Sequence, residues 1–127
     1  MTMTLYGIRN CDTMKKARAW LEARGVAYVF HDYKVAGIDA ATLRAWAASV
    51  GWEKLLNRAG TTFRGLADAD KANLDEAKAI ALMVANPSLI KRPVLTGAAE
   101  VPLVGFSVAA YEAVSYTHLT LPTKRIV

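Results

Sequence analysis

The chain has 127 residues, 54% of them apolar, enough for one compact core without a second domain. Its apolar runs fall short of the about 18 residues a membrane span needs, and Met1-Thr2-Met3-Thr4 lacks the basic and apolar regions of a leader, so a soluble, cytoplasmic protein is expected. One cysteine excludes an intramolecular disulfide and a multi-cysteine metal site, and a net charge of +5 without a Lys/Arg stripe suits an anionic small molecule better than nucleic acid.

Met3 to Ile8 alternates and reads as a first, central strand, ended by Arg9 and Asn10. From Thr13 to Arg24 the apolar positions Met14, Ala17, Trp20 and Leu21 fall at helical spacing, with Asp12 or Asn10 as N-cap and Gly25 as the stop. Val26 to Phe30 is a second strand, and the helix between makes a βαβ unit with parallel strands. The lone Cys11 therefore sits where a strand turns into a helix. A helix start offers unsatisfied N–H donors and about half a positive charge, which can draw a thiol pKa from ~8.5 down to roughly 3.5–7.5.

A helix is expected from near Asp39 to Gly51 with Leu43, Trp46, Ala47 and Val50 on one face. Another runs from about Leu74 to Ala85, with Ala77, Ile80, Ala81 and Val84 as its stripe. Residues 52–64 read as a short helix and loop, which makes the middle block all helical. The cluster Asp68, Asp70, Asp75 and Glu76 reads as the polar start of a helix. Strand signals resume at Pro93 to Thr96. After the turn at 97–100, Val101 to Phe106 closes an antiparallel hairpin. Ser107 caps a last short helix whose Val108, Tyr111 and Val114 face inward. Residues 115–127 have no helical period and Pro122 interrupts any strand; the segment reads as a non-native tail and the natural terminal helix as cut short.

A βαβ unit and a ββα unit joined through helices, with a cysteine at the first strand-to-helix turn, is a thioredoxin-like (glutaredoxin-like) arrangement with a mixed α/β sheet. That arrangement places a cis proline beside the active thiol, and Arg92-Pro93 opens the third strand at that place. Four ordered motifs sharpen the likeness: Leu5 to Ala17 around Cys11, Leu56 to Arg64, Pro87 to Val94, and Val104-Gly105-Phe106. Together they resemble the arsenate reductase (ArsC)/Spx family, YffB-like branch.

The resemblance implies a single domain over 1–114 with a helical insertion at about 38–90. It implies Cys11 as nucleophile and glutathione as co-substrate, with no bound cofactor and no metal. Arg92 would hold the thiolate or an oxyanion beside Pro93, and Arg58 and Arg64 would face the substrate from the insertion. Guanidinium forks suit this work because they pair bidentately with oxyanions. Asn10 and Thr13 flank the thiol; the Thr13 hydroxyl either donates to the thiolate or caps the helix, and capping is the simpler reading. Lys15 and Lys16 read as a solvated face. The electrophile would be a disulfide or a small oxyanion. Arsenate reductases of this family carry a further arginine after the proline, whereas 94–114 contains none, and the Spx CxxC switch is absent because the chain reads Cys11-Asp12-Thr13-Met14. A monothiol, glutathione-linked reductase is the expectation; the alternative is a non-catalytic Spx-like regulator that binds RNA polymerase.

Overall fold

A computed structural model describes residues 3–9, 11–99 and 101–115, except the side chains of 114 and 115. The chain divides into two compact units, one formed by the segment up to His31 and the segment from Arg92 onward, the other by Asp32–Lys91.

The first unit is built on a sheet of β1 (Thr4–Gly7), β2 (Val29–Asp32), β3 (Val94–Thr96) and β4 (Leu103–Val104) in the order β2-β1-β3-β4. β1 runs antiparallel to β3 with Leu5 opposite Leu95 and Tyr6 opposite Val94; β3 runs antiparallel to β4 with Val94 opposite Val104. β2 lies on the other side of β1, where Val29 N–H donates to Met3 O at 2.9 Å. This is a mixed sheet with β1 central, as expected, and β3 beside it.

Helix α1 (Asp12–Ala23) buries Met14, Ala17, Trp20 and Leu21, the face its spacing predicts. It ends in a Schellman motif: Gly25, at φ +70°, lets its own N–H reach Glu22 O and Val26 N–H reach Leu21 O. That hairpin-like exit occupies Val26, so β2 starts at Val29, three residues later than the sequence suggests. Met3, Leu5, Leu95, Ala98, Val26 and Tyr111 complete the core of this unit. Helix α8 (Val108–Ser115) is capped as expected, with Ala110 N–H donating to Ser107 Oγ at 3.3 Å, and its Tyr111 is fully buried. Val108 is exposed, contrary to expectation: it is the first residue of the helix, and burial begins with Tyr111 one turn further on. The Val114 side chain and the tail from 116 lie outside the described residues.

The second unit contains α2 (Tyr33–Ala36), α3 (Ala40–Val50), α4 (Trp52–Leu55), α5 (Thr61–Arg64), α6 (Asp68–Lys71), α7 (Glu76–Ala85) and a 3-10 turn at Pro87–Leu89. Asp32, Asp39 and Asp75 cap α2, α3 and α7 by accepting from the N–H groups of Lys34, Thr42 and Lys78. α3 packs on α4 and α7, burying Leu43, Trp46 and Ala47 as predicted, with Val50 only half-buried. The unit is not purely helical, since Leu56 and Ile90 form an antiparallel bridge flanked by Asn57 N–H to Leu89 O and Lys91 N–H to Leu55 O, both at 2.7 Å.

Two further expectations are corrected here. The buried face of α7 is Ala79, Ile80 and Met83, whereas Ala77, Ala81 and Val84 are exposed. α7 carries alanine or larger apolar groups all round, so its pattern does not fix its phase, and the large Met83 decides which face packs. The acidic cluster is split: Asp75 and Glu76 begin α7, while Asp68 and Asp70 form the separate turn α6. Lys78 Nζ holds that turn by donating to the carbonyls of Ala69 and Ala72.

Tyr111 sits edge-on to Trp20 and Phe106, with ring centroids at 5.6 and 4.8 Å. Its buried hydroxyl has no hydrogen-bond partner among the described residues, and burial pushes its pKa strongly up. An unsatisfied buried hydroxyl costs about 1–3 kcal/mol, whereas the ring contacts survive its removal. Tyr111→Phe is therefore expected to raise stability by about 1 kcal/mol in a thermal melt. A lower melting point would show that the hydroxyl is bonded in solution.

Candidate active site

The antiparallel register of β1 and β3 puts the end of β1 beside the start of β3, with Tyr6 opposite Val94. The chain leaving β1 reaches Cys11 within four residues of Gly7, and the chain entering β3 arrives through Arg92 and Pro93. Residues remote in sequence thus meet at one end of the sheet. The Arg92-Pro93 bond is cis, as expected, and buried Pro93 accepts from Gly105 N–H at 2.8 Å, tying it to the residue after β4.

Cys11 itself occupies the N-cap of α1, with extended backbone (φ −127°, ψ 130°) and its carbonyl accepting Lys15 N–H at 2.9 Å. Neither Asp12 nor Thr13 takes the capping position: Asp12 is the first helical residue and Thr13 the second. Asn10 lies outside the described residues. A capping side chain engages the N–H groups of the second and third helical residues, and here these are Thr13 and Met14. A neutral thiol is too weak an acceptor to close a normal capping bond, and the cap position shows none. A thiolate is a far better acceptor of the same two amides.

The half-buried thiol is therefore pulled two ways. Burial pushes its pKa up. Against it act the N–H of Met14, a hydrogen bond from the Arg92 guanidinium, the N–H of Thr13 and the positive charge of Arg92, and together they hold it below the ordinary cysteine value. The Met14 amide is the strongest of these donors. Sequence reasoning expected helix-start N–H donors at Cys11 but did not name Met14, since a main-chain group leaves no trace in residue type; the signal was the helix start immediately after Cys11.

Arg58 and Arg64 belong to the second unit. Arg58 is exposed with its guanidinium 5.4 Å from the Trp52 ring centroid, and Arg64 ends α5, where its carbonyl accepts from Lys71 Nζ at 2.9 Å. Lys15 and Lys16 are exposed. Arg9, after β1, and Arg18, on α1, approach the ring of Phe30 on β2, at 6.0 and 4.6 Å, and His31 lies tilted against Tyr6 with ring centroids 4.7 Å apart. Among the described residues no group of three or more His, Cys, Asp and Glu is placed to hold a metal ion, and no helix is long and apolar enough to cross a membrane.

With one depressed thiol, one guanidinium and two aimed amides, the site can generate a nucleophilic thiolate and stabilise an anion bound to it. Replacing Arg92 tests that balance. Arg92→Ala is expected to raise the Cys11 pKa by about one unit, and Arg92→Lys by less, because lysine keeps the charge without the planar fork. The pH dependence of iodoacetamide alkylation reads both; an unmoved midpoint in Arg92→Ala would assign the thiolate to the amides alone.

Comparison with known proteins identifies the family and the fold. The sequence model of the ArsC family matches residues 6–114. Among solved structures, the YffB (PA3664) protein is 62% identical with a TM-score of 0.86, over 89% of this chain and 98% of its own. An arsenate reductase (ArsC) related protein from Brucella melitensis is 56% identical with a TM-score of 0.71, over 89% and 93%. Among curated proteins, an uncharacterized protein of Haemophilus influenzae is 40% identical over 87% of this chain and 96% of its own length. The global transcriptional regulator Spx 1 of Lactococcus lactis is 30% identical over 72% and 73%. The fold shared with these neighbours is thioredoxin-like.

Proposed function

The chain belongs to the ArsC family, and from that premise we propose that it is a monothiol, glutathione-dependent thiol/disulfide oxidoreductase with Cys11 as nucleophile. The observation that carries this reading is the thiol at the N-cap of α1, held below its ordinary pKa by the Met14 and Thr13 amides and by Arg92. The relation to an arsenate reductase (ArsC) related protein supports a reductase in the coarser sense.

With a glutathione mixed disulfide as substrate, the Cys11 thiolate attacks the glutathione sulfur. The substrate thiolate leaves with the electron pair of the broken S–S bond and takes a proton from solvent. Cys11 then carries glutathione as a mixed disulfide. A second glutathione, as thiolate, attacks the glutathione sulfur of that bond, releasing glutathione disulfide and restoring the Cys11 thiolate. One S–S bond is broken and one is formed: the substrate sulfur is reduced to a thiol, the incoming glutathione is oxidised, and the glutathionyl sulfur taken from the substrate stays at the disulfide level. With one cysteine in the chain, no internal thiol competes for the adduct, so an external thiol must resolve it. Arg92 serves both steps by stabilising the Cys11 thiolate, as the nucleophile in the first and as the leaving group in the second. An oxyanion such as arsenate is the second candidate electrophile, disfavoured by the absence of arginine from 94–114. The likeness to Spx 1 favours one other reading, a regulator that binds RNA polymerase; it requires a pull-down of polymerase subunits by a protein inert toward disulfides.

Incubation with glutathione disulfide is expected to add one glutathionyl group at Cys11, seen by mass spectrometry, and Cys11→Ser should abolish both the adduct and glutathione-coupled turnover. Turnover retained by Cys11→Ser would remove Cys11 from the mechanism.

A further inference from the structure

We propose that Gly7 is a positioning residue for Cys11: its missing Cβ opens a seat for Met14 on β1, and that seat fixes the first turn of α1 against the sulfur. A Cβ built at Gly7 would stand 2.2 Å from Met14 Sδ, 2.6 Å from Cε and 3.2 Å from Cγ, so the thioether occupies the space that any other residue would fill. Met14 is fully buried and packed in the cluster of Leu5, Ala17 and Leu21, which leaves it no route into solvent.

Conformation does not explain this glycine. Gly25, Gly37, Gly51 and Gly105 have φ between +67° and +91° and open space around a built Cβ. Gly7 is the reverse case, with no positive φ and a blocked Cβ position. The requirement is steric and its partner is one side chain.

That side chain belongs to the third residue of α1, whose N–H faces Cys11 Sγ. A methyl group at position 7 meets the flexible end of Met14, which has to shift inside a fully buried cluster, and the proposal is that this shift reaches the first turn of α1. Hydrogen bonds weaken steeply as distance and angle depart from ideal, so the donors at the sulfur are lost before the helix is. The inference rests on Cys11 acting as a stabilised thiolate and concerns what holds it so.

The test is a double-substitution cycle read by the pH dependence of iodoacetamide alkylation at Cys11. Gly7→Ala is expected to raise the pKa by about one unit, a tenfold smaller thiolate fraction below it. Met14→Ala makes room for the new methyl, so adding Gly7→Ala in that background should leave the pKa where Met14→Ala alone puts it. If Gly7→Ala does not fold but the pair folds with a depressed pKa, the steric coupling to Met14 is equally supported. A folded Gly7→Ala with an unmoved pKa, or a pair that fails to fold where Met14→Ala succeeds, overturns the inference. A wild-type pKa at the ordinary value of ~8.5 would instead defeat the proposed function itself.

Discussion

The balance between burial and donation at Cys11 Sγ is what the rest of the first unit serves. Withdrawing a thiol from water penalises its charged form, and here that is the largest single influence on it. The thiolate prevails only because several donors converge on one atom. Two of them are amides that the helix cannot use internally, so no intrahelical bond is broken to supply them. The third is a guanidinium, which stays charged at any pH the protein meets. Partial exposure matters too: a fully buried sulfur would raise the penalty and bar the substrate, and a fully exposed one would see its donors screened by water.

Assembly of those donors depends on strand register. Leu5 and Leu95 face the core opposite one another, and Tyr6 pairs with Val94. A slip of β3 by one residue would turn Leu95 outward and move Arg92 by about 3.4 Å along the strand direction, beyond hydrogen-bond reach of the sulfur. The apolar pattern that stabilises the sheet thus also sets the position of the guanidinium. Gly105 N–H on Pro93 O fastens the same strand entry from the β4 side. Core packing and site geometry are one constraint here, expressed at two ends of β3.

Sequence legibility follows the same division. The face of α1 was readable because Met14, Ala17, Trp20 and Leu21 contrast with charged neighbours, and Cys11 was readable because the helix begins beside it. The phase of α7 was not, since alanines on every side erase the contrast that periodicity needs. The late start of β2 was hidden because the exit from α1 consumes Val26 in a helix-ending bond that residue type does not reveal. Arg92 was legible only through family resemblance: nothing in its local sequence distinguishes it from a surface arginine, and its role arises from pairing of segments almost ninety positions apart.

The choice of residue at the helix cap sharpens the physical meaning of the site. α2, α3 and α7 begin with aspartates whose carboxylates accept from the free amides, and at Asp39 the Thr42 hydroxyl and amide hold the carboxyl below its ordinary pKa. The same logic at α1 would place an aspartate at position 11 and occupy the Thr13 and Met14 amides permanently. Cysteine leaves those amides poorly satisfied until it ionises. A good cap is worth about 1 kcal/mol, so the neutral thiol forgoes stability that the thiolate recovers. The sign follows from linkage. With the folded pKa below the unfolded value of ~8.5, the unfolded chain binds more protons between the two, and the contribution of Cys11 to stability is full above ~8.5 and lost as pH falls through the folded value. Alkylation or mixed-disulfide formation replaces that thiolate with a neutral sulfur and withdraws the contribution. The adduct is thereby destabilised relative to the free thiolate, and the same amides that favour Cys11 as nucleophile favour it again as leaving group when the second thiol attacks.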